Sequence, residues 1–346
     1  MLKADFKKYI FKFKTPGGTS RGVLHAKDSW FISVWDDSDP KKKGVGECSI
    51  LKGLSYDDRP DYEQKLKEVV DEINRTGNMF FTGLEEYPSI FFGLETAMTD
   101  LHAGGGKILF PSEFTEGEDS IPINGLIWMG TPKYMWKQIG EKISSGFSCI
   151  KLKIGAIDFE TELSVLKKIR KVYGSDIELR VDANGAFSSK DVWHKLDQLA
   201  KLNIHSIEQP VKAGQPELMQ EICENSPLPV ALDEELIGVI KEGDKVKLIE
   251  FIKPQYLILK PSLLGGFEMC EEWIGIAEEN GAGWWVTSAL EGNIGLNAIA
   301  QWTYELETDM PQGLGTGQVF TNNIKSPLTI KDGALWYDVN KRWGKI

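Results

Sequence analysis

The chain has 346 residues, 41% of them hydrophobic and 26% charged, with a formal net charge of −11. That length predicts about two domains, the composition is that of an ordinary globular protein, and the acidic balance argues against nucleic acid or an anionic membrane as partner. No run approaches the roughly 18 apolar residues of a membrane helix. The opening MLKADFKKYIFKFKTPGG has no continuous apolar stretch, so no signal peptide is read and a cytoplasmic location is expected. Cys48, Cys149, Cys223 and Cys270 are scattered without CxxC spacing or paired His, which predicts buried thiols in a reducing compartment.

In chain order, Lys7–Lys14 alternates cationic and aromatic residues like a strand, and Trp30–Val34 is a β-branched and aromatic run followed by a turn-rich stretch, Asp36–Gly46. Asp61–Asn74 carries Leu66, Val69, Val70 and Ile73 at helical spacing, and Ser89–Ala103 reads as a second helix. Together these predict an α+β module over 1–118, with polar Glu113–Ser120 at its boundary. From Ile121 short apolar runs alternate with amphipathic helices: Ile121–Ile127, Cys149–Ile154, Ile177–Val181, Ile204–Ile207, Val230–Leu232, Tyr256–Leu259, Trp284–Thr287 and the weaker Gly313–Phe320. This is the repeat of a (β/α)7β-type TIM barrel over 119–325, the architecture predicted here within an α/β class. A doubly wound open sheet would alternate similarly, but no GxGxxG turn follows the first strand. Residues 326–346 form a tail expected to pack back near the N-terminal module.

The placement of charge is the most informative feature. Lys153, Asp182, Glu208, Asp233, Lys260 and Ser288 each end an apolar run, 25 to 29 residues apart, and Gly315 keeps the same step. Equivalent positions in successive βα units of a barrel lie at its C-terminal mouth, where active sites form. A single Asp after a strand is often just a helix N-cap; independent caps need not hold one register. Asp182, Glu208 and Asp233 then make an all-oxygen set suited to Mg²⁺, with Mn²⁺ second, and no Cys/His set is available for zinc. Lys151 and Lys153, two apart on a strand, share a face; Arg180 shares the face of Asp182 and is expected to add positive charge there. Lys260 arrives from the opposite side. Nearby cations and desolvation lower a lysine toward a useful base, so the residues predict proton abstraction alpha to a metal-bound carboxylate, the metal stabilising the charge that develops. His25, His102, His194 and His205 end neither the sixth nor the seventh strand, which disfavours a His base.

These segments resemble the enolase superfamily in the branch with lysines on the second and sixth barrel strands: Ile150-Lys151-Leu152-Lys153-Ile154-Gly155, Arg180-Val181-Asp182-Ala183-Asn184, Ile207-Glu208-Gln209-Pro210, Leu232-Asp233-Glu234 and Leu259-Lys260-Pro261. The N-terminal module is similar to that superfamily's capping domain. Ser20-Arg21-Gly22-Val23-Leu24, Ile123–Gly130, Thr287–Glu291 and Gly313–Gln318 are most similar to its o-succinylbenzoate synthase family. The resemblance implies a Mg-dependent lyase of menaquinone biosynthesis, dehydrating 2-succinyl-6-hydroxy-2,4-cyclohexadiene-1-carboxylate. It implies Asp182, Glu208 and Asp233 as metal ligands, Lys153 as base and Lys260 as charge stabiliser. Lys151, Arg21, Met129, Asn184, Ser288 and Gly315 are the candidates for contacting the substrate, a small carboxylate, with Gly17–Gly22 and Ser288–Gly292 closing over it.

The alternatives are an N-succinyl amino acid racemase or dipeptide epimerase on the same scaffold, and a barrel that binds ligand without catalysis. Dipeptide epimerases of this branch generally carry Asp-x-Asp after the last strand; Gly313–Gln318 has no acid. A dead barrel would be expected to have lost one of the five charged residues, and none is missing. Lys41–Lys43 beside Asp36 and Asp37 reads as a solvated loop. Trp284 and Trp285 should split between helix layer and barrel interior, Trp128 and Met129 fit pocket or core equally, and Glu234 alternates away from the mouth. Oligomeric state is not legible.

Overall fold

A computed structural model describes residues 1–19, 22–79 and 81–346, with side chains left aside at 17–19 and 22. Three antiparallel strands open the chain: β1 (Leu2–Thr19), β2 (Gly22–Asp36) and β3 (Lys43–Ser49). Alternation sets their faces. Ala4, Trp30, Ile32, Val34 and Cys48 pack beneath two helices, α1 (Tyr62–Thr76) and α2 (Pro88–His102). Phe11 and Phe31 point the other way and meet Leu290, Ile294 and Phe320 at the junction with the second module.

β3 corrects the expected turn over Asp36–Gly46, which is confined to 37–42. Its glycines serve a packing purpose, because α2 lies directly on the strand. A Cβ on Gly44 would strike the Ala97 carbonyl, and one on Gly46 the Gly93 carbonyl.

A short helix, α3 (Glu113–Glu116), and β4 (Ser120–Pro122) lead into the barrel. Its first half runs β5 (Gly125–Ile127), α4 (Pro132–Ser144), β6 (Cys149–Lys153), α5 (Phe159–Tyr173), β7 (Glu178–Asp182), α6 (Val192–Ala200) and β8 (Ser206–Glu208). The second half runs α7 (Pro216–Asn225), β9 (Val230–Leu232), α8 (Glu242–Ile252), β10 (Tyr256–Leu259), α9 (Pro261–Leu264), α10 (Gly266–Glu279), β11 (Gly283–Val286) and α11 (Asn293–Glu305). β5 to β11 are parallel neighbours in chain order, and the helices bury their apolar sides against them in one continuous core.

Two expectations change here. The run Ile121–Ile127 is two elements: β4 leaves the barrel to pair with the tail hairpin of β12 (Leu328–Lys331) and β13 (Ala334–Tyr337), Ile121 opposite Leu335. The eighth strand over Gly313–Phe320 does not form. Gln312 and Gly313 alone stand in its place, bridging Ile123 on one side and Thr287 on the other. Four main-chain bonds seal the ring: Gln312 N to Pro122 O (2.8 Å), Asn124 N to Gln312 O (2.9 Å), Gly313 N to Val286 O (2.7 Å) and Ser288 N to Gly313 O (3.1 Å). Glycines at 313, 315 and 317 leave a strand little to pack.

Beyond the hairpin, Trp343 packs against the junction cluster. All four cysteines are buried and free. Trp285 is buried with Ala231 and Ile258, whereas Trp284 packs against the outer core. Among the described residues no helix is long and apolar enough to cross a membrane.

Candidate active site

The parallel ladder brings the charged strand ends to one level. Lys153 is opposite Asp182, and Asp182 is opposite Glu208. Asp233 follows β9 and Lys260 follows β10. Lys153 Nζ lies 2.5 Å from Asp182 Oδ2 and donates to Asn184 Oδ1 at 2.8 Å. Lys151 Nζ contacts Glu208 and sits 3.3 Å from Asp182. From the far side Lys260 Nζ lies 2.5 Å from Asp233 Oδ2 and 3.7 Å from Glu208 Oε1. The three carboxylates and Lys151 and Lys260 are buried.

Burial in low dielectric pushes every one of these groups toward neutrality, and the neighbouring charges then decide the outcome. For Asp182 burial raises the carboxyl, but Lys153, Lys151 and Lys260 together hold it well below the usual carboxylate range. Glu208 is pushed up to about 7 by burial and by Asp182, against Lys151 and Lys260. Burial likewise raises Asp233, against Lys260. Lys260 is raised: burial opposes its charge, but Asp233 and Glu208 outweigh it, so this side chain is an ammonium. Lys151 is raised in the same way by Glu208 and Asp182 against burial.

The cleft above these charges is lined by Lys151, Lys153, Asn184, Lys260, Ser288 and Gly315, with Asn124, Leu126, Trp128, Thr287 and Thr316 as walls. Leu24 and the loop residues Leu51 and Leu54 roof it from the N-terminal module. Trp128 takes the wall position, whereas Met129 is buried and does not line the cleft. Arg21 lies outside the described residues. Arg180 is in the barrel interior below Asp182, paired with Glu178 at 2.7 Å and stacked on Trp285, so it adds no charge at the mouth. Glu234 accepts from Asn184 Nδ2 at 3.0 Å.

Ser288 is placed in the wall, but its hydroxyl is already engaged. It donates to Glu291 at 2.5 Å and accepts from Thr316 Oγ1 (2.7 Å) and Leu290 N (3.1 Å). Glu291 and Thr316 are the site residues that residue-by-residue reading passed over. The acid in Ser288-Ala289-Leu290-Glu291 was the available signal.

A family model for enolase C-terminal domain-like proteins matches residues 135–343. The chain belongs to the enolase superfamily. It is 42% identical to the o-succinylbenzoate synthase of Desulfotalea psychrophila (strain LSv54 / DSM 12343), over 96% of this chain and 98% of that one. The crystal structure of MenC from Desulfotalea psychrophila LSv54 superposes with a TM-score of 0.86 at 38% identity, covering 97% and 99% of the two chains. A dipeptide epimerase from Enterococcus faecalis V583, complexed with Mg and the dipeptide L-Leu-L-Tyr, shares the fold at 18% identity, with a TM-score of 0.82 over 97% and 96%.

Enzymes of this superfamily depend on a divalent metal, and the donor chemistry here fits one. Three carboxylates stand at the ends of adjacent strands, and the buried Oε1 of Glu208 accepts no hydrogen bond. Hard oxygen donors of this kind suit Mg²⁺. Among the described residues no three His, Cys, Asp or Glu side chains converge on one point; each of the three carboxylates leans on a lysine instead. A divalent cation therefore competes with ammonium groups for the same oxygens.

Proposed function

We propose that this chain is an o-succinylbenzoate synthase, dehydrating 2-succinyl-6-hydroxy-2,4-cyclohexadiene-1-carboxylate to o-succinylbenzoate and water in menaquinone biosynthesis. The observation that carries the reading is the flanking of the carboxylate row by two lysines, Lys153 on one side and Lys260 on the other, in a chain with a near full-length relative of that name. Asp182, Glu208 and Asp233 would hold Mg²⁺, which supplies positive charge for the substrate carboxylate when bound. Lys153, deprotonated, takes the proton alpha to that carboxylate. The carbon–hydrogen electron pair forms the new ring double bond as the carbon–oxygen bond to the hydroxyl breaks, and the proton on Lys153 leaves with the hydroxide as water. Lys260, held as an ammonium by Asp233, faces the negative charge that develops in between. Formation of an aromatic ring makes the elimination strongly downhill, so no redox cofactor or covalent nucleophile is required.

Charge supports an anionic substrate. With Lys153 neutral, Lys151 and Lys260 offset two of the three carboxylates, and a divalent cation would leave the site net positive toward a carboxylate substrate. The apolar roof of Leu24, Leu51 and Leu54 suits its ring. No acid lies in Gly313–Gln318 to receive a dipeptide's ammonium group. A small-molecule substrate and a cytoplasmic setting follow from the same reading.

The test is an ultraviolet assay for the aromatic product with purified protein, with and without EDTA. Metal-dependent product formation is expected, and no turnover of the cyclohexadiene by folded, Mg-loaded protein would sink the assignment. Rapid alpha-proton exchange of N-succinyl amino acids in D₂O, faster than dehydration, would promote racemisation in its place.

A further inference from the structure

A second set of buried charges lies beside the cleft, and the reaction uses none of them. Glu291 is fully buried, and its two oxygens accept from two serines, one in α9 and one just past β11. Oε1 takes the hydroxyl of Ser262, two residues beyond Lys260, and Oε2 that of Ser288. Ser288 in turn accepts from Thr316, so one carboxylate fixes three consecutive sectors of the cleft wall. Leu290, between Ser288 and Glu291, has φ of 62°, a left-handed conformation that a bulky residue holds only when its surroundings impose it.

The imposing contact comes from the other module. Glu47, on β3, is also fully buried; Oε1 accepts from Gly292 N at 2.7 Å and Oε2 from Gly295 N at 3.0 Å, at the start of α11. A Cβ on Gly292 would collide with Phe11, so the two modules meet there backbone to side chain. Lys27, buried on β2 and bonded to Ser49, faces both acids: burial pushes its amine down, and Glu47 and Glu291 oppose that shift.

We propose that Glu291 is a positioning residue that sets Lys260 and the Ser288–Thr316 wall in register, and that Glu47 makes this register depend on the docked N-terminal module. The catalytic part rests on the synthase reading. The barrel thus presents a finished cleft only with its cap seated, through hydrogen bonds as well as through the roof.

Two measurements test it. Glu291→Leu removes both acceptors at similar volume and is expected to lower kcat by on the order of 100-fold with KM within about threefold. Glu291→Gln restores most of that rate, because a serine hydroxyl can donate to the amide oxygen or accept from its nitrogen. A leucine variant that keeps kcat within threefold, or a glutamine variant no better than leucine, overturns the proposal. Amide hydrogen exchange of ligand-free Glu47→Gln is the second measurement, and it decides the matter if the leucine variant does not fold. Exchange is expected to accelerate at least about tenfold in 260–264 and 313–316, with 149–153 unchanged. Acceleration confined to 292–295, the amides Glu47 itself accepts, overturns the proposal. A wild type that makes no product fails the synthase reading instead and leaves the exchange comparison as the test.

Discussion

In the proposed reaction Lys153 is the residue on which the chemistry turns. Lys153→Ala should lower kcat at least about 10³-fold while circular dichroism and calorimetric Mg²⁺ binding stay intact, and retained turnover would remove it as the base. Asp182→Asn, Glu208→Gln and Asp233→Asn should each weaken Mg²⁺ in titration, because every lost charge also leaves a buried ammonium less balanced. An unchanged titration would exclude that residue as a ligand. These residues were legible because separate helix caps and solvated charges would not hold one register at the ends of successive apolar runs. Glu47 and Glu291 were not. Glu47 takes its amides from 245 and 248 residues away, and for Glu291 the one local sign, an acid three residues after Ser288, does not by itself mark a buried acceptor. Met129 lies two residues past β5, where neighbours part: Trp128 lines the cleft and Met129 is buried.

At the scale of the element, the parallel strands were readable because both faces are buried and each becomes a plain apolar run. β3 was hidden by the same glycines that make it possible. Gly46→Ala should force α2 off the strand at a cost of about 1–3 kcal/mol, seen as a lower urea midpoint with unchanged helix content. An unshifted midpoint would mean that α2 does not rest on the strand as closely as Gly46 requires. Short β4 and β5 were merged in reading since Ile121, Ile123 and Ile127 are all buried, and pattern alone cannot say that one apolar stretch serves two sheets.

Across the whole molecule, the two modules are joined by acids of the first placed at helix starts of the second. Glu47 does this for α11, and Glu95 of α2 for α10, accepting from Phe267 N at 2.6 Å and Glu268 N at 3.1 Å. Burial pushes the Glu95 carboxyl up to about 7, although those amides pull it down. A carboxyl raised on folding contributes its full stability below its unfolded value and loses it as pH climbs through the folded one. Glu95→Gln should therefore gain stability relative to wild type as pH rises from about 4.5 to 7, measured by urea unfolding at several pH values. A difference that stays flat would show that Glu95 does not titrate in that range.

The two-residue seam at Gln312–Gly313 has a consequence of its own. A full eighth strand would have committed its chain to the ring and left the mouth to a separate loop. Because the ring is sealed after two residues, Gly315 and Thr316, just past buried Leu314, already line the cleft. By Phe320 the chain has stacked on Phe11 of the other module at 4.7 Å between ring centroids. A stave shortened to a stitch lets one short stretch close the barrel, wall the cleft and tether the roof, so an insertion at 313–320 would disturb all three at once.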